Sequence, residues 1–152
     1  PGSVAQAATG IEFQNGETYR FSLEAYYKYY SSMPYLWDDE QSFSQAIGAY
    51  VAVGDQTSSA DAEGRSYGLE LFLQQKLKGT YWWTLSYNYG HSDTRLNESN
   101  PWLPTVWDNR HNANFVLGKV WGKGWQIGAK YRWATGTPYT PFDADLSAIR
   151  TN

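Results

Sequence analysis

Cysteine is absent from the 152 residues, which excludes a disulfide framework and any thiolate metal site. No apolar run approaches the roughly 20 residues that a spanning helix needs, and the mean hydropathy is negative, so helical membrane insertion is excluded as well. Residues Pro1 to Gln14 hold no basic segment followed by an apolar stretch. An exported protein needs such a leader, so processing or truncation is expected to have removed it. The formal charge of −3 is small, and no stripe of Lys or Arg points to nucleic acid. None of these absences argues against a membrane β-barrel, in which only every second residue of a strand must be apolar.

Aromatic residues are abundant. Thirteen Tyr, eight Trp and six Phe make up 18% of the chain, and most fall where an alternating segment begins or ends. In Trp125 to Ala134 the odd positions are Trp125, Ile127, Ala129, Tyr131 and Trp133, while the even ones are Gln126, Gly128, Lys130, Arg132 and Ala134. A period of two predicts a strand with one apolar face. The same parity runs through Ala113, Phe115 and Leu117 on the other side of Gly122-Lys123-Gly124. Pairing Trp121 with Trp125 then sets Leu117 opposite Ala129, Phe115 opposite Tyr131 and Gly118 opposite Gly128.

Alternation recurs along the chain and predicts six antiparallel strands, at about 4–14, 18–30, 65–77, 80–90, 110–121 and 125–135. Residues 18–30 suffice to cross a bilayer, which takes roughly 9 to 11 strand residues. Asn15-Gly16, Lys78-Gly79 and Gly122 to Gly124 mark short turns. For the first, the face pattern favours a three-residue loop from Asn15 to Glu17, a register in which Glu12 faces Arg20. The intervening stretches 31–64 and 91–109 are polar and are expected to be long loops. Within the first, Phe43 to Val53 alternates loosely and is expected to fold back on Tyr27 to Trp37.

Short turns on one side and long loops on the other, with rings at both margins, make the layout of an outer-membrane barrel whose short side is periplasmic. Tyr19, Tyr81, Trp121 and Trp125 mark the short-turn interface, and Tyr29, Tyr67, Tyr89 and Trp133 the long-loop interface. The fold class is all-β, with the lipid bilayer as the first partner. Six strands are fewer than the roughly 8 of the smallest single-chain bacterial barrels, so the chain is expected to be part of a larger wall. A soluble sandwich would bury the same face, but it gives no reason for the loop asymmetry.

Several segments together resemble the late barrel strands of TonB-dependent outer-membrane receptors. The strand Gly64 to Glu70 has the pattern Gly-x-x-x-Gly-x-Glu and precedes a tyrosine-rich strand. Asp108 to His111 supplies Asp-x-Arg-His at the entry to the next hairpin, and Gly136 to Pro141 follows it. The resemblance covers roughly residues 17–142. It implies a barrel of about 22 strands plugged by an N-terminal domain, importing a scarce metal chelate, vitamin, oligosaccharide or peptide with energy delivered through TonB. The implied partners are the remaining barrel, the plug, TonB through the N-terminal part, and a surface lipoprotein or other ligand-capturing protein. No plug or TonB-contacting segment is present among the 152 residues. The competing functions are a passive outer-membrane pore or structural barrel, and a soluble carbohydrate-binding β-domain.

Arg20, Glu24, Lys28, Glu70, Lys130 and Arg132 lie on the polar parity, which a barrel turns to its lumen. They are expected to line the wall and grip a plug, or to guide a ligand. Trp37, Trp102 and Trp107 fall in the long loops, where a ring could stack on a sugar or an aromatic chelator. The run His91-Ser92-Asp93 carries triad residue types, but neighbours on a strand point to opposite faces, so it reads as a polar cluster and the chain as no enzyme. Asp108 is expected to bond backbone N–H groups or pair with Arg110. Asp38-Asp39-Glu40 and Asp143/Asp145 lack calcium-loop spacing and read as solvated. No cofactor is called for.

Overall fold

Glycine sets the tight turns. In the computed structural model, which describes residues 2–37, 41–46 and 57–138, Gly16, Gly79, Gly122 and Gly124 all have positive φ, between 58° and 92°. Residues with a Cβ rarely hold that conformation. Between the turns run β1 (Ser3–Asn15), β2 (Tyr19–Leu36), β4 (Ser58–Lys78), β5 (Tyr81–Arg95), β7 (His111–Trp121) and β8 (Trp125–Ala134). Shorter pieces are β3 (Gln41–Ser42), the single helical turn α1 (Phe43–Ala46) and β6 (Leu103–Pro104).

The six long strands form one antiparallel sheet in the order β1-β2-β4-β5-β7-β8, each beside its predecessor in that path. β3 pairs the end of β2, and β6 pairs β5. No ladder joins β1 to β8 among the described residues, so the sheet is open and each end strand has one unpaired edge. The hairpin of β7 and β8 has the expected register, with Trp121 opposite Trp125, Leu117 opposite Ala129 and Gly118 opposite Gly128.

Paired positions in the six main strands have equal parity except at the irregular pairs Met33–Ala62 and Lys78–Tyr81, so between those irregularities the odd residues form one continuous face. A single layer cannot cover that face. Ile11, Phe13, Leu23, Leu69, Leu117, Ile127 and Tyr131 are all exposed, and among the large apolar residues exposed on these strands every one but Val4 is odd. Burial is concentrated at the long-loop end, where Tyr35, Leu36, Ala62, Asp93, Thr94, Thr105 and Asp108 are buried.

Four sequence-based expectations need correction. The first turn does span three residues, but they are Gly16, Glu17 and Thr18, so Gln14 opposes Arg20 and Glu12 opposes Ser22. Side-chain parity fixes a register only to within two residues. The Glu12–Arg20 ion pair still forms, at 2.8 Å along the diagonal.

The stretches expected as loops, 31–64 and 91–109, give up their margins to the sheet. β2 continues to Leu36, β4 begins at Ser58 and β5 runs to Arg95. Apolar alternation stops near Tyr67 and Tyr89, whereas the backbone ladder does not. Charged pairs replace apolar ones on the same parity, with Arg65 opposite Asp93 and Glu63 opposite Arg95. A bulge between Tyr30 and Met33, where Ser32 takes a φ of 60°, marks the change along β2.

Of the expected fold-back of Phe43 to Val53, only Phe43–Ala46 falls among the described residues, and it is helical while the contact with β2 comes just before it. Gln41 and Ser42 pair with Leu36 and Tyr35, and the chain then turns into α1. Residues 47–53 lie outside the described residues, as do Asp38-Asp39-Glu40, Asp143, Asp145 and the motif beyond residue 138. The second turn sits one position later than expected, at Gly79 and Thr80, after a shift between Gln75 and Lys78.

Candidate functional site

The even face carries the six charges singled out from sequence, and their environments differ. Arg20 pairs with Glu12 and lies over the Phe72 ring, 5.4 Å from its centroid. Lys28 lies over Tyr26. Glu24 and Glu70 are direct cross-strand partners, two like charges side by side. Asn88 Nδ2 donates to Glu70 Oε1 at 3.1 Å, and Glu24 and Glu70 line the same two grooves. Lys130 and Arg132 stand exposed on the edge strand β8. Between these side chains, Tyr26 lies over Gly68 and Trp82 over Gly118, where a Cβ would meet the Trp82 ring at 2.5 Å. Glycine opposite a large ring keeps this face smooth.

On the odd face, the long-loop margin is a chain of rings. Tyr27 stacks on Tyr67 at 6.3 Å between centroids, Tyr67 meets His91 at 5.2 Å, and Tyr89 meets His111 at 5.2 Å. His111 reaches Trp133 at 6.0 Å and shares a 2.7 Å hydrogen bond with the Tyr87 hydroxyl through Nδ1. Sequence reasoning gave His111 a place at the strand entry and missed its part in this belt. Its odd parity beside Tyr89 was the available signal. Tyr29 continues the margin on β2. At the turn margin, Tyr19, Tyr81, Trp121 and Trp125 are exposed.

Beyond the ring margin the odd face becomes a polar cluster. Arg65 Nη2 binds Asp93 Oδ2 at 2.9 Å, and Arg95 Nη2 binds Glu63 Oε2 at 2.7 Å. Both guanidinium groups also lie on Trp102, 4.2 and 4.5 Å from its ring centroid. The Trp102 π-system is therefore already engaged by this chain's own cations. Trp37 packs edge-on against Tyr35, and Trp107 is largely exposed.

β7 pairs β5 no further than Tyr89, and the loop 96–110 fills the vacated edge of β5. Asp93 and Thr94 pair with Pro104 and Leu103, and Thr105 N–H donates to the Ser92 carbonyl. Val106 N–H donates to the Ser44 carbonyl, which ties this loop to α1. Asp108 makes both bonds expected of it. Oδ1 accepts the Ser92 N–H at 3.1 Å, and Oδ2 accepts Arg110 Nε at 3.2 Å. That bond and the carboxylate charge raise the Arg110 pKa above its ordinary value.

The His91-Ser92-Asp93 run is part of this cluster. His91 Nδ1 lies 3.2 Å from Asp93 Oδ1 and 3.3 Å from Asp108 Oδ1, at angles that make no hydrogen bond with either. Ser92 Oγ accepts from Thr105 and not from His91. Among the described residues no group of three or more His, Cys, Asp or Glu is arranged to hold a metal ion. The chain matches no family model, no curated protein and no solved structure.

Proposed function

We propose that the chain forms part of the wall of a TonB-dependent receptor in a bacterial outer membrane, with its odd face against lipid and its even face toward the lumen. The observation that carries this reading is the uncovered odd face, apolar across six strands and rimmed by rings at both margins. Each large apolar side chain left in water forgoes about 1.5–3 kcal/mol, so the face as a whole calls for a non-aqueous cover. Lipid supplies one without a second protein layer.

The two open edges point the same way. An unpaired backbone group in hydrocarbon costs several kcal/mol, so β1 and β8 require further strands on their outer sides. The order of the Gly64 to Glu70, Asp108 to His111 and Gly136 to Pro141 segments favours a receptor over a passive pore. In this reading the Glu24–Glu70 pair faces the lumen and suits a cationic side chain of a plug domain seated there.

Detergent partitioning of the intact protein tests the membrane placement. The expected result is retention in the detergent phase, with migration on electrophoresis that changes on heating. Recovery in detergent-free buffer as a monodisperse protein rules the reading out. A plug-sized domain in the same polypeptide separates the receptor from a passive pore.

A further inference from the structure

Trp107 differs from Trp102 in having its ring open, with 57% of the residue exposed. It borders a groove of about 220 Å³ at the long-loop end of the even face, lined also by Tyr26, Ser66, Asn88, Asn109 and Asn112. Three amides, an indole and the hydroxyls of Tyr26, Ser66 and Ser92 meet there. The floor is backbone at Gly90, where a Cβ would stand 3.1 Å from the Tyr26 hydroxyl and 3.2 Å from Asn88 Oδ1.

Each amide has one end engaged within the chain and the other free. Asn88 uses Nδ2 on Glu70 and keeps Oδ1 as an acceptor. Asn109 Oδ1 accepts the Thr135 hydroxyl, and Asn112 Oδ1 accepts Asn114 Nδ2, so both keep Nδ2 as a donor. The Glu70 carboxylate, which only accepts, fixes the orientation of the Asn88 amide. The groove thus offers both donors and acceptors, while the His91 ring in its lining turns Nδ1 toward Asp93 and Asp108.

That chemistry narrows the occupant. Among the described residues, a carboxylate or phosphate finds no Arg or Lys in the lining, and an ammonium finds no carboxylate there. A purely apolar molecule would leave three amides unpaired, at about 1–3 kcal/mol for each buried group. A hydroxyl both donates and accepts, and a sugar ring adds a C–H face that packs on indole. At about 30 Å³ per water, the volume suits one six-membered ring.

We propose that this groove binds a single neutral pyranose ring of an oligosaccharide or glycoside, with Trp107 as the platform and Asn88, Asn109 and Asn112 reading its hydroxyls. The inference rests on the receptor reading, since it places the ring at the mouth of the lumen.

The test is saturation-transfer NMR on the full protein, purified in detergent. The probes are glucose, galactose, mannose, N-acetylglucosamine and their disaccharides, with citrate and spermidine as charged controls. A neutral saccharide should bind, and Trp107→Ala should weaken it at least tenfold while leaving the folded electrophoretic mobility unchanged. Gly90→Ala, which narrows the floor, should weaken it without touching the indole. Absence of saccharide binding, equal affinity in W107A, or binding of citrate or spermidine in place of sugars overturns the inference. A detergent-dependent protein that binds no saccharide leaves the receptor reading standing. A saccharide binder that needs no detergent removes the receptor reading instead.

Discussion

Asp108 holds Ser92 by its backbone, accepting the amide N–H on Oδ1 at 3.1 Å although the two residues lie 16 positions apart. A carboxylate does there what a neighbouring strand would otherwise do, because β7 has already left the edge of β5. Asp108 is 3% exposed, and loss of its carboxylate leaves the Ser92 N–H without its partner. Asp108→Ala should cost about 1–3 kcal/mol and speed hydrogen exchange at Ser92 and Thr105. Asp108→Asn keeps an oxygen for Ser92 and should cost less. Equal exchange in all three proteins would show that the loop 96–110 is held by other contacts.

Arg65 and Asp93 form an ion pair at the long-loop end in which Asp93 is 5% exposed. Arg65→Met leaves that carboxylate without its cation and should destabilise by about 3–5 kcal/mol, discounted because Arg65 is itself about one-third exposed. Restoring Asp93→Asn in the same protein should recover much of the loss. A double-mutant cycle by urea titration reads the coupling, and additive effects would show that the pair contributes nothing as a pair.

Leu71 and Ser86 sit on neighbouring strands with opposite parity. In lipid vesicles Leu71→Arg should lower stability by about 2–4 kcal/mol, the expected cost of a cation on the lipid face at mid-bilayer. Ser86→Arg on the even face should change it by less than about 1 kcal/mol. Equal penalties would remove the distinction between a lipid face and a lumen face.

Glu24 and Glu70 repel across adjacent strands. With the lumen empty, Glu24→Gln should raise stability by about 0.2–1 kcal/mol, seen as a higher urea midpoint. In the intact protein the same change should lower the midpoint if a plug cation is seated against the pair. A rise in both settings would show that no cation sits there.

Parity carried most of what could be read from sequence. It located six strands and one apolar face because side chains alternate whatever lies beyond the sheet. The β7–β8 register was legible because Gly122 and Gly124 fix the turn, whereas at Asn15-Gly16 a two-residue slip keeps every side chain on its face. The long-loop end was not legible for a different reason. Arg65, Glu63, Asp93 and Arg95 continue the strands, but their polarity removes the contrast between faces on which a period of two depends. The groove beside Trp107 was half legible. Its tryptophan stood out, but Asn88, Asn109 and Asn112 converge on it from β5, the loop after it and β7, and no local spacing links them.

The ring belt at the long-loop end crosses the hydrogen-bonded lanes obliquely. From the lane of Tyr29 it drops two residues at Tyr67, two more at Tyr89, none at His111 and two at Trp133. That descent averages about 1.5 residues per strand, or about 5 Å along the strand for each step of about 4.8 Å across the sheet. If the belt lies level at one membrane surface, the strands incline by about 45° to the bilayer normal, at the steep end of the range for spanning strands. The placement of four aromatic residues and one histidine thus encodes an angle. Under that same condition, moving the belt by one pair on a single strand would set that strand at a different depth from its neighbours.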